Sequence, residues 1–102
     1  MILQPDIIAR VAMFPSNIGG RPVPIPAVCY RCLLFIDGQG FDCRLLLDQI
    51  GHGLAPGDAA EVPIRFLSFD LVKNLLSPGA YFNLWEMRNF AEGEILQICR
   101  SY

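Results

Sequence analysis

The chain has 102 residues, 53% of them hydrophobic and 18% charged, with a formal charge of −2. That length fits a single domain, 1–102, with a modest core of its own. The acidic balance excludes a protein whose affinity comes from neutralising many phosphates, and the absence of any apolar run near about 18 residues argues against a membrane partner or a targeting segment, so the chain reads as cytoplasmic.

Alternation and turn chemistry divide the sequence into six strand-like pieces. The first covers residues 6–14, with Ile7, Ala9, Val11 and Met13 on one face and Arg10 on the other. A loop rich in proline and glycine follows over 16–26. Strands over 28–36 and 41–49 flank Asp37-Gly38-Gln39-Gly40, a hairpin turn whose glycines can take positive φ. In the second of these strands Phe41, Cys43, Leu45 and Leu47 oppose Asp42, Arg44 and Asp48, as one wet face requires. Pro56-Gly57 fits a type II turn, and the strand predicted after it, 60–69, carries Pro63, which points to an edge or an irregular place in the ladder. A single helical turn over 71–76 and a second Pro-Gly turn at Pro78-Gly79 lead to strands over 80–88 and 94–99, joined through 89–93. Six strands without a long helix can bury their apolar faces and hide their edges together by closing on themselves, so the expected fold is an all-β, six-stranded closed antiparallel barrel, with an open sandwich as the alternative.

Four segments in order, Gly19-Gly20-Arg21, Tyr30-Arg31, Pro56-Gly57-Asp58 and Phe82-Asn83-Leu84-Trp85-Glu86, with Gly93 after them, resemble the C-terminal barrel domain of the translation elongation factor Tu family. The resemblance implies a barrel that contacts aminoacyl-tRNA and protein, with Arg21 matching the family's RNA-facing arginine. Where the family's Tyr-Arg strand continues with Pro-Gln, this chain has Cys32-Leu33, and its fifth strand reads Trp85-Glu86-Met87-Arg88-Asn89. Apolar groups in these places favour a protein partner or a homodimer over tRNA. An RNA-contacting role, through Arg10, Arg21, Arg31, Arg44 and a stacking Tyr30, is the alternative, as is a regulatory or immunity protein that mimics the factor's barrel.

No phosphate-binding GxxxxGK[ST] loop occurs, so no nucleotide and no other cofactor is expected. Cys29 and Cys32 have CxxC spacing, but residues three apart on a strand face opposite ways, so no metal site is expected; the four cysteines read as small buried hydrophobes. His52, between glycines, lacks a partner to orient it as a base. With no nucleophile, base and anion stabiliser together, the chain is expected not to be an enzyme. Glu86 is expected to form an ion pair with Arg88 or Arg10 at the barrel end. If Phe82 and Leu84 point inward, Tyr81, Trp85 and Met87 point outward, where Phe90 would extend them into an interface. The candidate partner-binding residues are therefore Arg21, Tyr30, Arg31, Tyr81, Trp85, Glu86, Arg88 and Phe90.

Overall fold

The computed structural model describes residues 3–18 and 23–100. Its six strands are β1 (Ile7–Met13), β2 (Cys29–Ile36), β3 (Gln39–Leu46), β4 (Ala59–Phe66), β5 (Tyr81–Trp85) and β6 (Asn89–Ile98). All pair antiparallel, and the order β1-β4-β3-β2-β5-β6 returns to β1, so the expected closed barrel forms and no strand is left with an open edge.

Side-chain alternation builds the interior. Ile7, Ala9, Val11 and Met13 of β1 meet Val62, Ile64 and Phe66 of β4, Cys43 and Leu45 of β3, and Leu34 and Ile36 of β2, all buried. Asp37 and Gly38, at φ 52° and 74°, form the two-residue turn between β2 and β3, the mirror-image type that matches strand twist. Gln39 and Gly40 already belong to β3. Both Pro-Gly turns are of type II: Gly57 and Gly79 have positive φ, and the N–H groups of Asp58 and Ala80 donate to the carbonyls of Ala55 and Ser77. The ladder between β3 and β4 ends at Leu45 opposite Ile64, one residue short of Pro63, which therefore sits where a donor is not required.

Several elements differ from expectation: the third strand ends at Leu46, before a 3-10 turn over Leu47–Gln49, and the fourth ends at Phe66. The helical turn begins earlier, as α1 (Phe69–Val72) followed by a 3-10 turn over Lys73–Leu75, because Phe69 and Val72, three apart, are its buried anchors. The segment 89–93 is not a link but the first half of β6. β5 also stops at Trp85, so the link between β5 and β6 is only Glu86, Met87 and Arg88, made possible by Met87 at φ 64°.

The barrel ends are tied by polar groups. Asp6 is fully buried; its carboxylate accepts the Phe66 N–H at 2.8 Å and faces the Arg100 guanidinium at 3.3 Å. Arg100 in turn stacks over the Phe69 ring at 4.7 Å. At the other end a two-way backbone bridge joins Ile25 to Leu54, and Gly53 is needed there because a Cβ would overlap the Ile25 carbonyl oxygen.

Candidate interaction surface

With Phe82 and Leu84 buried, period-two geometry turns Tyr81, Asn83 and Trp85 outward on β5. Register places Trp85 opposite Leu33 and Asn83 opposite Phe35, both on the outer side of β2. The Trp85 and Phe35 rings meet edge to face, 6.4 Å between centroids and 74° between planes, an arrangement aromatic quadrupoles favour. Tyr81 is 75% exposed, Trp85 38% and Met87 88%. Tyr81 borders two shallow depressions: one of about 360 Å³ toward Phe35 and Asn83, the other of about 220 Å³ toward Arg10 and Glu92.

The turn that carries Met87 is held from below. Tyr30 hydroxyl donates to the Glu86 carboxylate, at 2.6 Å from either oxygen, and Glu86 N–H donates to the Arg88 carbonyl. At the barrel end Glu86 thus has the Tyr30 hydroxyl as a partner. Arg10 lies elsewhere, in register with Glu61 and Glu94 on its two neighbouring strands. The Tyr30 ring is half-buried against the core.

Phe90 does not join the outer face: it is fully buried. Leu84 opposes Ala91 while Trp85 opposes Asn89, so Phe90 is the extra residue of a β-bulge, and the bulge lets Phe90 and Ala91 both face the core. Gly93 follows because the Phe82 ring occupies the space its Cβ would need. Arg31 and Arg88 are exposed, and Arg21 lies outside the described residues.

The cysteines split by face. Cys29 and Cys99 are exposed, against the expectation that all four are buried. Cys32 and Cys43 are buried and directly opposed across β2 and β3, with Sγ atoms 3.7 Å apart. The Cys32 thiol contact, then burial, pushes the Cys43 thiol well above its ordinary range, and burial followed by the Asp6 charge raises Cys99. Both shifts disfavour the thiolate a nucleophile needs. His52 Nδ1 lies 2.9 Å from the Gly53 carbonyl, and no cluster of three metal-ligating side chains exists among the described residues.

One grouping escaped sequence reading because it depends on register. Arg31 opposes Arg44, and Arg44 opposes Arg65, making a row of three arginines across β2, β3 and β4. No family model matches the chain, and no curated protein is similar to it.

Proposed function

We propose that this chain is a non-catalytic protein-binding module, a stand-alone barrel of the elongation factor Tu C-terminal type, which docks through the outer face of β2 and β5. The observation that carries this reading is the placement of Met87. It is the most exposed large apolar side chain described, in a left-handed backbone conformation that disfavours every residue with a Cβ. The left-handed backbone closes the short link between β5 and β6, a place glycine would fill without strain, and the exposed methionine side chain retained there suits a flexible, polarizable contact residue beside the Trp85 anchor.

The partner that fits best is a second copy. The flank of the aromatic face on β2 carries Arg31, and the flank on β6 carries Glu92 and Glu94, opposite Asn83 and Tyr81. A two-fold axis through the aromatic centre would set the basic flank of one copy against the acidic flank of the other, the self-complementarity that a symmetric dimer requires. The tRNA-contacting alternative draws less support: the Tyr30 ring is half-buried with its hydroxyl on Glu86, and Arg10 sits between two glutamates in register.

Sedimentation velocity over a rising concentration series tests the reading. The wild-type chain should pass from monomer to dimer, and Trp85→Asp, with an unchanged circular dichroism spectrum, should weaken the dimer at least tenfold, the loss expected of a buried Trp anchor. A chain that stays monomeric to the highest concentration, indistinguishable from Trp85→Asp, would remove self-association.

A further inference from the structure

We propose that Arg44 and Arg65, the β3 and β4 members of the arginine row, form a binding site for a single phosphate group beside the aromatic face, whose flank carries Arg31. Directly opposed residues on neighbouring strands hold their Cβ atoms about 4.5–5.5 Å apart, and like charges so placed repel. Arg44 has an arginine opposite it on both sides. In a chain whose formal charge is −2, three guanidiniums in line are a local excess that folding does not call for.

The neighbours leave that excess intact at Arg44 and Arg65. Arg65 donates to the Gln4 carbonyl at 2.9 Å, which fixes its guanidinium without cancelling its charge. Asp42 forms an ion pair with Arg31 at 3.8 Å and offsets the charge at that end of the row. The Asp6 carboxylate, just before β1, is taken by the Phe66 N–H and Arg100. Arg44 itself is half-buried and has no hydrogen bond or ion pair among the described residues. Arg44 and Arg65 line a depression of about 190 Å³ whose remaining walls are Leu3, Phe66 and Leu67.

The ligand class follows from this geometry. One carboxylate satisfies a single guanidinium fork, whereas a tetrahedral dianion presents enough oxygens and charge for two or three. The row ends within three strands, and Glu61 and Glu94 surround Arg10 beyond it, so the surface offers no track for a polynucleotide backbone. The apolar walls leave room for an organic group attached to the phosphate.

The test titrates the whole chain with inorganic phosphate and with phenyl phosphate at constant ionic strength, followed by amide and guanidinium NMR shifts. Acetate is the reference. Saturable shifts centred on Arg44 and Arg65, stronger for phosphate than for acetate, are expected. Tighter binding of phenyl phosphate identifies a phosphate carried on an organic ligand, and equal binding identifies the free ion. Arg44→Gln should weaken binding about tenfold or more, Arg44→Lys should fall between because it loses the planar fork, and Arg10→Gln should bind as wild type. Without phosphate, Arg44→Gln should melt no lower than wild type, and added phosphate should raise only the wild-type midpoint. Absence of saturable shifts, equal response to acetate, or an Arg44→Gln variant that binds normally would overturn the proposal. So would tighter binding of single-stranded RNA with a salt slope of several phosphates, which marks a polynucleotide surface instead.

Discussion

Replacing Met87 by glycine should make this protein more stable. Met87 is held at φ 64° with its side chain 88% exposed, so the substitution removes a left-handed strain and almost no buried surface. A residue with a Cβ in that conformation costs roughly 1–2 kcal/mol, and glycine returns about 0.5–1 kcal/mol of that through the greater freedom of its unfolded chain. The net gain is about 0.5–1 kcal/mol, or roughly 2–8 °C in the thermal midpoint of a domain this size. Met87→Ala supplies the control: it also removes the side chain but keeps the strain, and should unfold within about 0.5 kcal/mol of wild type. Urea unfolding followed by circular dichroism measures both variants. If Met87→Gly is less stable than wild type while Met87→Ala is not, the turn is unstrained and the functional reading of Met87 loses its support. The same glycine variant should self-associate more weakly, since it gains fold stability at the expense of the contact face.

Gly93→Ala forces a methyl into the Phe82 ring in a closed interior, and a loss of about 1–3 kcal/mol is expected by urea unfolding. Asp6→Asn leaves Arg100 without its carboxylate and weakens the Phe66 N–H bond, so about 1.5–3 kcal/mol should be lost by the same measurement. The raised Cys43 thiol fixes the sign of the alkaline limb. The unfolded chain loses that proton from about pH 9 upward while the folded chain keeps it, so stability falls as pH rises through this range. Cys43→Val should flatten that fall in midpoints taken from pH 8 to about 11.

The strand faces were legible because each depends only on its own alternation: Ile7 to Met13, Val62 to Phe66 and the Phe82–Leu84 pair all point as their patterns require. The turns at Asp37-Gly38, Pro56-Gly57 and Pro78-Gly79 were legible for the same local reason. The boundary between β5 and β6 was not, since a methionine in a glycine conformation carries no sequence signal and a bulge shifts Phe90 from the outside to the core. The aromatic face could be drawn from one strand. The arginine row and the Cys32–Cys43 pair could not, because both exist only once residues far apart in the chain are brought into register. The partner of Glu86 belongs to the same class: Tyr30 reaches it only through barrel closure.

Closure itself depends on a short ladder. Between β2 and β5 only Leu33–Trp85, Leu34–Leu84 and Phe35–Asn83 are in register, and the two strands come from opposite halves of the chain. Whatever settles on Trp85 and Phe35 would straddle that ladder and act as a clasp, slowing the parting of the two strands. Amide protons along this junction should then exchange more slowly when the face is occupied, while those of the hairpin at Asp37 keep their pace.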